Sequence, residues 1–193
     1  MPELLTINTQ ALGTCTEEQF FQFCMQNRDL VVERDSKGKI FIMSPTFSLT
    51  GSYNAKILAE LVYWNKQTRL GEVFDSSTGF TLPNTAMRSP DVAWIEKKRW
   101  DAVSDEDKEK FSHICPDFVI EIKSKSNSLK ELKQKIQEWI KNGCRLAWLI
   151  DVNEEKVHIY KPNTTIKLVS FNGNLSGENV LPGFAMNLND VLY

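Results

Sequence analysis

Glu121 and Lys123 stand where a folded chain has least room for charge. They lie in Phe118-Val119-Ile120-Glu121-Ile122-Lys123, a run of strong β-formers that reads as a central strand. Side chains alternate along a strand, so Glu121 and Lys123 share a face with Val119, while Ile120 and Ile122 point the other way. Burying charge without a partner is costly, and function is a common reason to retain it. A second carboxylate, Asp91, follows Pro90 at the head of Asp91-Val92-Ala93-Trp94-Ile95, another apolar strand. If the two strands are neighbours, Asp91 and Glu121 converge at one end of the sheet. Two carboxylates, a backbone carbonyl and waters make a hard oxygen site suited to magnesium or manganese. A lysine two residues along the same face could orient an attacking water or help deprotonate it, and the metal would stabilise charge on a phosphate. The same residues also fit a plainer reading, an ion pair at a strand end and an aspartate in a turn.

Ser89-Pro90-Asp91, then Glu121-Ile122-Lys123 30 residues after the aspartate, then a helix, resembles the PD-(D/E)XK phosphodiesterase superfamily. Within it the chain resembles the Uma-type family of restriction endonucleases. The matching text is Gly71-Glu72-Val73-Phe74, Ser77-Thr78-Gly79-Phe80, Arg88 through Trp94, Phe118 through Ser124, and Gly143 through Asp151. The resemblance implies a restriction-endonuclease-like fold and a metal-dependent phosphodiester hydrolase. Asp91, Glu121 and the Ile122 carbonyl would be metal ligands, with Lys123 positioning the water. Many members lack the lysine that this chain retains, and Ser124-Lys125-Ser126 departs from their commoner Ser-Pro-Ser. Lys135, three residues after Leu132 and four before Trp139, resembles the family's helix lysine and could reach the metal site or a phosphate. It also fits a lysine snorkelling from the edge of an apolar stripe. Glu60, between Ile57 and Trp64, matches the acidic residue that superfamily members often add from an early helix. It equally fits a half-exposed helical glutamate.

Several elements must place these residues. A first helix starts near Thr16, where Thr16 and Gln19 have capping-box spacing. Leu30–Arg34 and Lys39–Met43 flank Asp35-Ser36-Lys37-Gly38 as a hairpin, which Ser44-Pro45 ends. A second helix runs from about Ser52 to Thr68, with Gly71 beyond its end. Glu72 to Leu82 reads as two short strands, and Trp100 to Phe111 as a surface helix or loop. Ser128 and Glu131 repeat the capping-box spacing ahead of a helix that carries Leu129, Leu132, Ile136, Trp139 and Ile140 and stops at Gly143. Leu146–Ile150 follows as a buried strand, then Val157–Tyr160 and Ile166–Phe171. The strand, helix, strand unit from Phe118 to Ile150 requires a parallel pair with a right-handed crossover. The fold class is α/β: a restriction-endonuclease-like mixed β-sheet flanked by helices, with an N-terminal hairpin and C-terminal strands.

The 193 residues carry 41% hydrophobic and 25% charged side chains, ordinary globular usage that argues against a disordered chain or a long coiled coil. No linker, repeat or low-complexity tract appears, so residues 1–193 read as one domain. There is no apolar run of about 18 residues for a membrane span. Met1–Gln10 lacks the pattern of a signal peptide, so a cytoplasmic protein is expected. Cys15, Cys24, Cys115 and Cys144 have no metal-ligand spacing and read as reduced thiols. His113 and His158 read as structural or surface residues, and the five tryptophans as core. A net charge of −2 excludes a strongly basic coat but not a basic groove. Residues 121–145 hold seven basic and three acidic side chains, which fits either a phosphate contact or a solvated helix face. The expectation is a magnesium- or manganese-dependent endonuclease that hydrolyses phosphodiester bonds in DNA. A homodimer would suit cutting both strands of a duplex. The alternative is a catalytically degenerate module on a nuclease fold that binds nucleic acid or protein; a purely structural protein is the third reading.

Overall fold

The computed structural model of the chain describes residues 5–9, 13, 15–125 and 127–193. In chain order the elements are β1 (Leu5–Ile7), α1 (Glu17–Gln26), β2 (Val31–Arg34), β3 (Ile40–Met43), α2 (Ser48–Thr68), β4 (Gly71–Phe74), β5 (Phe80–Thr81), β6 (Met87–Arg88), β7 (Val92–Glu96), α3 (Lys97–Asp101), α4 (Asp105–Lys108), β8 (Phe118–Lys123), α5 (Leu129–Lys141), β9 (Leu146–Asp151), β10 (Lys156–Tyr160), β11 (Lys167–Ser170), β12 (Asn174–Ser176), β13 (Ala185–Asn187) and α6 (Leu188–Leu192). They form two compact units that interleave in sequence. One comprises Met1–Pro45, Ser77–Ser89 and Val103–Cys115, the other Thr46–Ser76, Pro90–Ala102 and Pro116–Tyr193. No described helix is long and apolar enough to cross a membrane.

The first unit is an antiparallel sheet in the order β1-β3-β2-β6-β5. Its hairpin turns as expected: Asp35 Oδ1 accepts the Lys37 and Lys39 amides, both at 2.9 Å, and Gly38 takes φ +83°. The Thr16 capping box forms in full, and α1 buries Phe20 and Cys24 against Val32, Ile40 and Met87. Burial pushes the Cys24 thiol up to about 11, so it stays protonated; all four cysteines are free.

The second unit holds a six-stranded mixed sheet, β11-β10-β9-β8-β7-β4. β8 and β9 are parallel and α5 makes the crossover; the other pairs are antiparallel. Phe118, Ile120 and Ile122 join Tyr53, Ile57, Leu61 and Trp64 of α2 in one core cluster, so α2 covers that face. Val119, Glu121 and Lys123 therefore face the other side, which α5 covers. Trp94, Trp139 and Trp148 are fully buried core residues. Asp117, at the foot of β8, accepts the Glu96 amide at 2.9 Å and pairs with Arg99 and Arg145 at 2.8 and 3.4 Å. That network joins β7, β8 and the entry to β9 at the end of the sheet away from Lys123.

Several boundaries depart from expectation. α2 begins at Ser48 and carries Gly51 inside its first turn, since a backbone bond from Gly51 N–H to Phe47 O (2.9 Å) starts the helix before the glycine. Arg69, not a glycine, takes the left-handed position after it (φ 54°). Gly71 serves close packing instead: a Cβ there would sit 2.1 Å from the Ile95 carbonyl. The two strands read between Glu72 and Leu82 exist, but β4 pairs with β7 and β5 with β6. Ser128 is the N-cap of α5, yet its side chain makes no cap bond. Asn127 closes that turn, its Oδ1 accepting the Ser124 amide at 3.1 Å.

Candidate functional site

Five of the six residues singled out from the sequence lie around the C-terminal end of β8: Glu121, Ile122 and Lys123 on the strand, Asp91 bonded to the Ile122 amide, and Lys135 paired with Glu121. β7 and β8 pair with Val92 opposite Ile120. Continued by one residue, that register sets Asp91 opposite Glu121, on the same face; continued by two, it sets Pro90 opposite Ile122. Pro90 has no amide hydrogen to give the Ile122 carbonyl. The ladder therefore stops, and the Asp91 side chain replaces it: Ile122 N–H donates to Asp91 Oδ2 at 2.6 Å. This is why Asp91 leaves β7, which begins at Val92. The carboxylate is held on the edge of β8, beside a carbonyl that no ladder donor reaches from Pro90.

Glu121 is 3% exposed and engaged from α5. Lys135 Nζ lies 2.9 Å from Glu121 Oε1, and Trp139 Nε1–H donates to the same oxygen at 3.0 Å. Lys135 and Trp139 are four residues apart, so one helix face presents both. Lys135 is 17% exposed along its side chain, a half-buried partner that turns its ammonium to Glu121 rather than snorkelling to solvent. Lys123, 14% exposed, turns to Asp151 across the parallel register, with Nζ 3.4 Å from Oδ1. The charges thus sort into two pairs, Glu121 with Lys135 and Asp151 with Lys123. His158 on β10 opposes Leu149 on the same side of the sheet. Burial, with Lys133 and Lys156 nearby, holds its imidazole below the usual range, against the pull of Asp151.

The donor set is oxygen only: Asp91, Glu121 and the Ile122 carbonyl. Such donors match magnesium or manganese and not a thiophilic ion. Among the described residues no three His, Cys, Asp or Glu side chains converge to hold a metal, so a cation here would take two carboxylates and complete its shell with carbonyl and water. Glu60 is not part of the cluster. It is exposed on α2, the helix that covers the opposite face of the sheet.

Sequence reasoning missed Asp151. The sequence placed the end of that strand at Ile150; the structure extends it to Asp151, whose partner follows only from the register. Arg145, counted with the basic segment, faces Glu96 and Asp117 instead. Of the loop after Lys123, Ser126 lies outside the described residues.

The sequence profile of the Uma2 family, described as "Putative restriction endonuclease", matches residues 17–189. Among solved structures the chain is similar to a "putative nuclease belonging to DUF820" from Anabaena variabilis ATCC 29413. The two share 18% identity with a TM-score of 0.72, over 84% of this chain and 89% of that one. The likeness shows the α/β fold. No curated protein matches the chain.

Proposed function

We propose that this chain, which belongs to the Uma2 family, is a divalent-cation-dependent endonuclease that hydrolyses phosphodiester bonds in DNA. The observation that supports the reading is the bond from Ile122 N–H to Asp91 Oδ2 at 2.6 Å, which sets the Asp91 carboxylate against the residue that follows Glu121 on β8. Asp91, Glu121 and that carbonyl would hold magnesium or manganese. Such a cation, when bound, supplies positive charge against the negative charge that builds on the phosphate and lowers the pKa of the attacking water. Lys123, aimed from the same face, positions the water for attack on phosphorus. The P–O bond to the water oxygen forms as the bond to the leaving sugar oxygen breaks; the water gives up one proton to solvent and the leaving oxygen takes one up from solvent. Lys135, beside Glu121, adds a second ammonium against the developing charge. Lys130 and Lys133 on the outer turns of α5 suit a phosphate backbone. Glu60 stays outside the proposed set because of the face its helix covers.

Wild-type protein on supercoiled plasmid, single-stranded DNA and RNA, with magnesium, manganese or a chelator, tests the function. Nicked or linear plasmid with either ion and none with chelator is the expected result. RNA cut in place of DNA would overturn the substrate.

One observation favours the degenerate binding module: Lys135 and Trp139 already satisfy Glu121. That reading predicts salt-sensitive DNA binding without cleavage under any divalent ion.

A further inference from the structure

We infer that Asp151 is a positioning residue for Lys123, holding its ammonium toward the reacting phosphate and off Glu121; this rests on the nuclease reading above. Lys123 and Glu121 are two residues apart on one face of β8, so a lysine side chain at 123 can reach the carboxylate at 121. The structure pairs them otherwise. Glu121 is matched from α5 by Lys135 at 2.9 Å. Lys123 is matched from β9 by Asp151, with Nζ 3.4 Å from Oδ1. The parallel register sets Lys123 directly beside Asp151, so both side chains leave the sheet on the same side. Asp151 is 2% exposed, and the turn that leaves β9 fixes it: its Oδ1 also accepts the Asn153 amide at 3.2 Å and the Glu154 amide at 3.4 Å. A lysine tether is flexible, and a buried, doubly anchored carboxylate is what confines it. Without Asp151 the ammonium would turn to Glu121 or to solvent, and the water-positioning geometry would be lost.

The test uses the full chain with Asp151→Asn and Asp151→Glu. The Lys123 ammonium is read by 15N-edited NMR and assigned with Lys123→Arg, manganese binding is read by calorimetry, and cleavage by kcat and KM on plasmid. Asp151→Asn should lose the hydrogen-bonded Lys123 ammonium signal and keep wild-type manganese affinity. It should lower kcat at least about tenfold with KM unchanged, as supporting residues around a metal site do. Asp151→Glu should keep the signal at a shifted position and recover part of kcat. An unchanged Lys123 signal in Asp151→Asn overturns the inference, as does joint loss of manganese affinity and rate without rescue by glutamate. If Asp151→Asn does not fold, Asp151→Glu decides, and wild-type rate with an unshifted signal counts against us. Wild-type protein that never cleaves removes the nuclease reading and with it the catalytic role, while the ammonium signal still shows whether Asp151 holds Lys123.

Discussion

The charges on the α5 side of β8 are arranged so that no carboxylate is left to the lysine nearest it in sequence. Glu121 depends on Lys135, which reaches it from one turn before Trp139. Breaking a buried ion pair by removing one partner costs about 3–5 kcal/mol, whereas replacing both partners by apolar groups is often neutral. With Lys135 half-buried, Lys135→Met should destabilise the fold by up to about that amount, and Lys135→Met with Glu121→Leu should recover most of it in urea denaturation. A single variant as stable as wild type would show that the pair is solvent-screened. At this scale much of the site was legible in the sequence. Glu121 and Lys123 announced themselves as charges in an apolar strand, and Asp91 by following Pro90. Lys135 and Trp139 stood out by helical spacing. Asp151 did not, because nothing local distinguishes it from any aspartate that ends a strand. Its meaning comes from a neighbour 28 residues away across the sheet.

The elements that carry these residues are positioned by small local devices. Gly71 lets β4 lie against β7, with Asn65 holding its backbone from both sides: Asn65 Nδ2 donates to Gly71 O at 2.8 Å and Asn65 Oδ1 accepts Gly71 N–H at 3.2 Å. Gly71→Ala should cost about 1–3 kcal/mol, the range for overpacking, and more if β4 separates from β7. A thermal scan with an unchanged midpoint would contradict the close approach. In the first unit His113 joins α1 to the segment after α4, with Nδ1 2.7 Å from Asp107 and Nε2 2.9 Å from Glu17. Hydrogen bonds to Asp107 and then Glu17 raise its pKa. A raised folded-state pKa contributes stability that is fully present below the unfolded value, about 6.5, and is lost as pH rises through the folded value. Wild type should lose stability relative to His113→Asn as pH rises through that window, and parallel pH profiles would contradict it. The main elements were visible as periodic runs, and β8 matches its expected limits residue for residue. What escaped was context. The Ser128 spacing promised a capping box, but Ser128 caps α5 without a side-chain bond, and Met87–Arg88 is too short a strand to carry a pattern. β12, β13 and α6 alternate too briefly to stand out from loop.

The chain divides into two compact units whose segments alternate in sequence, and the family profile spans segments of both. The proposed chemistry belongs to the second unit, where every residue of the cluster lies. A net charge of −2 gives the chain no general hold on nucleic acid, so the proposed DNA binding would rest on local lysines. Affinity for DNA should then fall steeply with salt, and substituting Lys130 and Lys133 together should flatten that dependence by about two counterions. An unchanged slope would place the phosphate contacts elsewhere. The central claim is that Asp91 and Glu121 together support cation-dependent hydrolysis. Its most direct test is the initial rate of plasmid cleavage with manganese for wild type, Asp91→Ala and Glu121→Ala, purified identically and confirmed as folded. Wild type should cleave, and each variant should lose at least about 100-fold in rate. Cleavage by Asp91→Ala at the wild-type rate would contradict it.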